Sequence, residues 1–268
     1  MKRVVPRTLI GISLKMYFDH ARTLEWCTAV AELARTHPAV ADGQVGLFVL
    51  PSFPSIVDAI EIFEGTGVQV GGQDLFWEDR GAYTGEVSGL DLASIGCAYA
   101  AIGHAERRSV LGEDDRITGA KLSAALRNGL TPVVCVGEKE HTNAERATQA
   151  CIAELEALLV HGDVPPGASV VLAYEPEWAI GAAKAASPEH VAEVAGRLQD
   201  WLDDHPLFSH TRVIYGGSAG PGTLTALGAS VDGLFLGRFA HNPYALRDIL
   251  DESLARERVE RSMEAGRE

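Results

Sequence analysis

Eight short apolar segments alternate with stretches of helical periodicity along the whole chain. The segments are residues 8–12, 45–50, 68–71, 98–102, 131–136, 169–174, 212–215 and 231–236. Continuous apolar runs of this length are typical of parallel strands that are buried on both faces. Strands that alternate with helices predict βαβ units and one parallel sheet. The pattern therefore predicts an α/β fold.

A parallel sheet of this kind either closes into a barrel or stays open with helices on both faces. The eight units fill the 268 residues without a linker, and no Gly-x-Gly-x-x-Gly motif follows the first strand. Both features favour a single-domain (β/α)8 barrel over residues 1–268, rather than a doubly wound sheet. Ser187 followed by Pro188 predicts a helix start, as does Asp19. We expect the charged tail, about 252–268, to extend the last helix.

Composition limits the class of partner. The formal net charge of −14 argues against nucleic acid and against an acidic membrane surface. No stretch approaches the roughly 20 apolar residues of a membrane helix, and the N-terminus does not resemble a secretory signal. The four cysteines are scattered, without metal-ligand spacing, as expected in a reducing cytoplasm. The cysteines are Cys27, Cys97, Cys135 and Cys151.

Ionisable side chains follow three of the predicted strands. Lys15 follows the first strand, Gly103 and His104 follow the fourth, and Glu175 follows the sixth. In a (β/α)8 barrel, the C-terminal ends of the strands form the face that carries the active site. Glu175 is thus a candidate base, and His104 at a helix start is a candidate neutral imidazole. Each residue alone also has an ordinary interpretation: a solvated lysine, a structural histidine and a strand-end carboxylate.

Glycine-rich turns follow the last two strands. Residues 216–218 read Gly-Gly-Ser and residues 237–238 read Gly-Arg. Glycines at strand-to-helix turns let backbone N–H groups face an anion, and phosphate sites in such barrels often use the loops after strands seven and eight. The small, charge-poor segment 179–186 is expected to be a mobile lid. The prediction of an active site depends on the agreement of all five placements.

These motifs resemble the triose-phosphate isomerase family over almost the whole chain. The similar segments are Lys15-Met16, 84–86 (TGE), 102–108 (IGHAERR), 135–138 (CVGE), 173–184 (AYEP to Lys184), 215–218 (YGGS) and 232–233 (DG). Several ordered motifs in register are far more specific than a likeness of barrels alone. The resemblance implies a TIM barrel and an aldose–ketose isomerase of a small phosphorylated sugar.

The resemblance also implies roles for particular residues. Glu175 would move a proton between neighbouring carbons, while His104 and Lys15 would stabilise the enediolate and Glu106 would hold Lys15. Phosphate would be bound at Gly181, Ser218, Gly237 and Arg238. No metal or organic cofactor would be needed. A homodimer would form through the loop from Asp74 to Glu86, with Phe76 and Trp77 burying apolar surface.

The chain departs from the family around the pocket. Ser13 stands where the family usually has asparagine, Ala105 where it has serine, and Arg238 where it has a second glycine. Glu177 replaces an aliphatic residue at the lid hinge, and the lid tip reads Ala-Ala at 182–183. Ser13 leaves space beside Lys15, and Arg238 offers a contact for a displaced phosphate. These changes favour a four-carbon erythrulose phosphate as substrate.

Three alternatives to an erythrulose-phosphate isomerase can be compared with the sequence. A glycolytic triose-phosphate isomerase with tolerated substitutions retains the same catalytic residues. A phosphate-ligand binding barrel without catalysis is disfavoured by the intact lysine, histidine and glutamate. Metal-dependent aldolase chemistry has no support, because the sequence carries neither a His-x-His cluster nor a lysine on the sixth strand.

Overall fold

Eight parallel strands form a closed barrel in chain order in the computed structural model. The structure describes residues 6–181 and 185–265, with side chains up to residue 258. The strands are β1 Thr8–Ser13, β2 Val45–Leu50, β3 Gln69–Gly72, β4 Tyr99–Ile102, β5 Thr131–Val136, β6 Val171–Tyr174, β7 Arg212–Tyr215 and β8 Gly233–Leu236. The barrel closes between β1 and β8, where Leu9 pairs with Gly233. The predicted (β/α)8 architecture is therefore confirmed.

Helices cover the outside of the barrel. They are α1 His20–Thr36, α2 Pro38–Ala41, α3 Ile56–Ile62, α4 Gly89–Ser94, α5 Ala105–Leu111, α6 Asp115–Arg127, α7 Ala144–His161, α8 Pro188–Asp204, α9 Thr223–Leu227 and α10 Pro243–Ala265. The Asp19 carboxylate accepts from the N–H of Arg22, and the Ser187 hydroxyl accepts from the N–H of His190. Both predicted N-caps are confirmed. No helix in the described ranges is long and apolar enough to cross a membrane.

Several strand ends differ from the predicted ends by one or two residues. β3 extends to Gly72, and β8 begins at Gly233 rather than at residue 231. Val231 is buried and reads as strand in the sequence, but it precedes the ladder. The carboxylate of Asp232 accepts from the N–H of Val213 at 2.8 Å, which holds this segment at the entrance to the barrel. The apolar side chain of Val231 therefore indicates that this residue is buried, and not that it pairs within the sheet.

Aromatic side chains fill the barrel interior beneath the C-terminal face. The Phe48 ring occupies the space above Gly11, so that a Cβ on Gly11 would overlap the ring. Phe48 stacks on Tyr99 with ring centroids 4.3 Å apart, and it lies 6.1 Å from the Phe235 ring. The interior is therefore solid below the strand ends, as expected for a barrel of this type. Any ligand space lies above this aromatic layer.

A buried ion cluster joins the loop after β3 to α5 and α6. The Lys121 ammonium donates to both carboxylate oxygens of Asp74, at 2.8 and 2.7 Å, and to Glu113 at 2.5 Å. Arg107 pairs with Asp74 at 2.8 Å. Burial and the nearby Glu113 raise the pKa of Asp74 to about 6, although Lys121 and Arg107 oppose this. Asp74 opens the loop 74–86, so the cluster fixes the base of that loop.

This raised pKa predicts that the wild type and Asp74→Asn differ in free energy of unfolding by an amount that depends on pH. The folded pKa lies above the unfolded value, so the contribution of protonated Asp74 is present below about pH 4 and is lost as the pH rises through about 6. We expect the free energy of unfolding of the wild type, relative to the variant, to fall by about 2 kcal/mol from pH 4 to pH 7.5. Denaturant unfolding at both pH values measures it, and a pH-independent difference would contradict it.

Candidate active site

The C-terminal strand ends surround one cavity of about 260 Å³. All nine residues that the sequence singled out line this cavity. They are Ser13, Lys15, His104, Glu106, Glu175, Gly181, Ser218, Gly237 and Arg238. Tyr17, Gly216, Phe235 and Phe239 are among the other lining residues. The barrel therefore brings residues from five strand ends to a single site above the aromatic layer.

Lys15 lies on a strained turn directly after β1. Its backbone φ is +49°, a left-handed conformation that is uncommon for a residue other than glycine. The Gln73 amide donates to the carbonyl of Lys15 at 2.9 Å and to that of Leu50 at 3.0 Å. Gln73 thus supports the turn from the neighbouring strand end. Gln73 was not among the residues predicted from the sequence, although its position directly after β3 could have indicated it.

Glu106 supplies the counter-charge for Lys15. The Lys15 ammonium donates to Glu106 Oε1 at 2.8 Å. Burial of Glu106 disfavours its ionisation, but the hydrogen bond and the charge of Lys15 outweigh burial and lower its pKa. Glu106 is therefore ionised at neutral pH and holds the ammonium at the cavity wall.

His104 is the N-cap residue of α5, and this position fixes its imidazole. Its Nδ1 atom accepts from the backbone N–H of Glu106 at 3.1 Å. An accepting Nδ1 carries no proton, so the ring is neutral and its proton lies on Nε2. Nε2 lies 3.7 Å from Glu175 Oε2 at the cavity wall. The side chain is only 9% exposed, so this donor is directed into the site.

Glu175 follows β6 with its carboxylate in a tightly packed position. Its side chain is 7% exposed, and Oε2 has no hydrogen-bond partner in the described part of the chain. A Cβ on Gly216 would lie 2.7 Å from both Cγ and Oε1 of Glu175. Because Gly216 has no side chain, the Glu175 carboxylate fits beside it. The carboxylate and the imidazole lie 3.7 Å apart and both line the cavity, so a small carbonyl compound that enters the cavity can reach both groups.

Gly216→Ala is expected to displace this carboxylate. The added methyl group would overlap the Glu175 side chain, and a displacement of about 1 Å costs on the order of 10²-fold in rate. We expect kcat to fall by about that factor, with the far-UV spectrum unchanged. Gly196→Ala in α8 is the matched control, because a Cβ there meets no atom within 4 Å. Equal activities of the two variants would contradict this account of the packing.

The segment after Glu175 is anchored at its start. The Trp178 indole donates to Glu138 Oε1 at 2.7 Å, and the Tyr174 hydroxyl donates to Glu138 Oε2 at 3.1 Å. His190 Nε2 lies 3.3 Å from the same carboxylate. Glu138 therefore joins the hinge to β6 and α8. The sequence contained Glu138 in a family-like motif but did not reveal this role, because its partners come from three separate segments.

The first residues of the predicted lid contact the turn after β7. The N–H of Gly181 donates to Ser218 Oγ at 3.1 Å, and the Ser218 hydroxyl donates to the Ala179 carbonyl at 2.7 Å. The predicted lid tip, at 182–183, and Lys184 lie outside the described residues. The two hydrogen bonds place the described part of the lid directly over the cavity.

The turn after β8 forms the cationic end of the cavity. A short helical turn, Arg238–His241, begins there, and the Trp26 indole donates to the Ala240 carbonyl at 2.9 Å. Gly237 has open space where a side chain would lie. Arg238 on this turn lines the cavity and carries a fixed positive charge. This end is therefore suited to an anionic group such as phosphate. No group of side chains in the described ranges is arranged to hold a metal ion.

Comparison with known proteins agrees with this geometry. The sequence profile of the family described as triosephosphate isomerase matches residues 8–253. The chain belongs to the triosephosphate isomerase family. It is 47% identical over 251 residues to the L-erythrulose-1-phosphate isomerase of Pectobacterium atrosepticum, covering 91% of this chain and 95% of that protein. The expected family resemblance is confirmed.

Two further relatives are named differently, one as an L-erythrulose-1-phosphate isomerase and the other as a triosephosphate isomerase. The L-erythrulose-1-phosphate isomerase of Rhizobium etli is 38% identical over 253 residues, covering 90% of each chain. The triosephosphate isomerase of Thermoanaerobacter pseudethanolicus is 38% identical over 240 residues, covering 86% of this chain and 93% of that protein. These relatives are named as isomerases of small phosphorylated sugars, and this chain is an isomerase of the same family.

Proposed function

We propose that this chain isomerises L-erythrulose 1-phosphate, by proton transfer through an enediolate. The observation that carries the proposal is the cavity wall at the end of β1. Ser13 lies there beside Lys15, where the family usually has the larger asparagine. The 47% identity to a relative named for that substrate supports the same conclusion.

Three side chains would carry out the proton transfer. Glu175 is a carboxylate with an unpaired oxygen in the cavity, and it would remove the proton next to the carbonyl. The N–H of neutral His104 and the ammonium of Lys15 would donate to the oxygens on which negative charge develops. Glu106 would keep Lys15 in position through their 2.8 Å ion pair. Glu175 would then return the proton to the neighbouring carbon.

The chemistry of the substrate fits one base that serves two adjacent carbons. In L-erythrulose 1-phosphate, the carbonyl is at C2 and the neighbouring C3 carries a hydrogen and a hydroxyl group. Removal of the C3 proton gives a C2–C3 enediolate; transfer of the hydroxyl proton from O3 to O2 and reprotonation at C2 then leave the carbonyl at C3. C1 carries the phosphate ester and has no free hydroxyl group, so it cannot become an aldehyde by this route.

Phosphate would bind at the opposite end of the cavity from the reacting carbons. Backbone N–H groups at Gly237 and Arg238, the lid residue Gly181 and the turn at Ser218 would surround it. The Arg238 guanidinium supports this arrangement, because Nη2 lies 3.6 Å from the position of a Cβ on Gly181. With a net charge of −14, the protein as a whole repels an anion, so these local groups must provide the attraction.

A glycolytic triosephosphate isomerase is the second candidate. The relatives named triosephosphate isomerase support it, as does a site with the same lysine, histidine and glutamate. A binding barrel without catalysis is a third possibility, and the unpaired carboxylate opposite a neutral imidazole argues against it.

The experiment is a comparison of kcat/KM for L-erythrulose 1-phosphate and glyceraldehyde 3-phosphate with one enzyme preparation. We expect the four-carbon compound to be preferred by at least about tenfold, since a filled pocket gains roughly 1–3 kcal/mol per methylene group. A clear preference for the triose would identify a glycolytic enzyme. Turnover of neither compound would contradict the proton-transfer mechanism.

We also propose a cytoplasmic homodimer that is formed through the loop 74–86. Phe76 is already buried within this chain, where its ring packs at a tilt against Trp77 and Tyr83, with centroid distances of 4.0 and 4.7 Å, whereas Tyr83 is 44% exposed. Exposed aromatic surface of this kind favours association. The mass of the protein in solution tests the dimer.

A further inference from the structure

We propose that the Ser13 hydroxyl binds the terminal hydroxyl group of a four-carbon substrate and so determines specificity. This inference rests on the proposed function. The small Ser13 side chain leaves space for the fourth carbon, and its hydroxyl group would add a hydrogen bond to the substrate. Ser13 would then select its substrate by a hydrogen bond as well as by size.

The direction of the Ser13 side chain follows from the alternation along β1. Gly11 faces the barrel interior, where the Phe48 ring lies against it, and Ile12 faces the surrounding helices. Ser13 is the next interior position after Gly11, because side chains alternate along a strand. It is therefore the last interior residue of β1, directly below the Lys15 turn, and it lines the cavity.

The Ser13 hydroxyl is available to a ligand. Its side chain makes no hydrogen bond to any residue in the described ranges, whereas Lys15, His104 and Ser218 each have a protein partner. Lys15 is paired with Glu106, and the hydroxyl of Ser218 donates to Ala179. Ser13 itself is only 7% exposed. A nearly buried hydroxyl group without a protein partner gains a hydrogen bond when a polar ligand enters.

The aromatic layer restricts where an additional carbon can lie. Phe48 closes the interior beneath Ser13, and Phe235 lines the cavity next to it on β8. Gly181 and the turn after β8 line the other end of the cavity. A hydroxymethyl group therefore cannot extend downward into the barrel, and it lies at the level of Ser13. Lys15, His104 and Glu175 are assigned to the reacting carbons and oxygens, which leaves Ser13 as the buried neutral hydroxyl that can pair with this group.

A cycle of two enzymes and two substrates tests this contact. The enzymes are the wild type and Ser13→Ala, and the substrates are L-erythrulose 1-phosphate and its 4-deoxy analogue, which retains the reacting carbons. In the wild type we expect kcat/KM to be about tenfold higher for the hydroxylated substrate, the effect of one neutral hydrogen bond. In Ser13→Ala, that ratio should fall to about one. Turnover of the deoxy analogue by the variant shows that it is folded.

Two outcomes would overturn the inference. One is that Ser13→Ala lowers kcat/KM for both substrates by the same factor, so that the ratio persists; the other is that the wild type does not distinguish the two substrates. Ser13→Thr is the conservative variant, and it should restore a ratio above one because it retains the hydroxyl group. Failure of the proposed function is recognised separately: the wild type would then prefer glyceraldehyde 3-phosphate to L-erythrulose 1-phosphate, whatever the cycle shows.

Discussion

Glu175→Gln is expected to lower kcat by about 10³–10⁴-fold, the upper part of the range for a general base. Glutamine has nearly the same shape, so it fits beside Gly216, but its amide cannot accept the proton from carbon. His104 and Lys15 remain in place to bind the substrate oxygens. KM should therefore change much less than kcat. Steady-state kinetics with the preferred sugar phosphate measure both values.

The control for this variant is Glu156→Gln on α7. Glu156 is exposed on the outside of the barrel, so the same change of charge should leave the kinetics unchanged. Glu175→Gln should still bind a phosphorylated enediolate analogue, as measured by calorimetry. Retained turnover would exclude Glu175 as the base. Loss of both turnover and binding would show that the variant disturbs the site as a whole.

Lys15→Met is expected to lower kcat/KM by about 10³-fold, because a charged donor to a developing oxyanion is removed. Methionine has a similar length but carries no charge. The substitution also leaves Glu106 unpaired at the cavity wall, where its negative charge repels a phosphorylated substrate. Both kcat and the affinity for substrate should therefore decrease. The same assay on the purified variant measures the effect.

Lys139→Met is the matched control for this charge change, because Lys139 is exposed and lies outside the cavity. The double variant Lys15→Met with Glu106→Gln removes the unpaired carboxylate as well. We expect it to regain part of the substrate affinity but little of kcat. An equal loss in the Lys15 and Lys139 variants would mean that the overall field of the protein, rather than a local contact, attracts the substrate.

The sequence alone determined the fold and most of the site. Eight apolar runs of strand length, separated by helical stretches, allow few arrangements other than a parallel barrel, because a parallel strand must be buried on both faces. The N-caps at Asp19 and Ser187 were local features and were predicted correctly. Lys15, His104 and Glu175 were found because each directly follows a strand, and the topology places all such positions on one face.

The tertiary structure alone decided the contacts that make this face a site. Gln73 supports the strained Lys15 turn from another strand, and Gly216 gives Glu175 its position by the absence of a side chain. Glu138 joins Tyr174, Trp178 and His190 at the lid hinge. These contacts join residues that are distant in the chain. Local sequence patterns determine which residues are buried and which backbone conformations they prefer. Contacts between distant residues depend instead on how the closed barrel brings separate segments together.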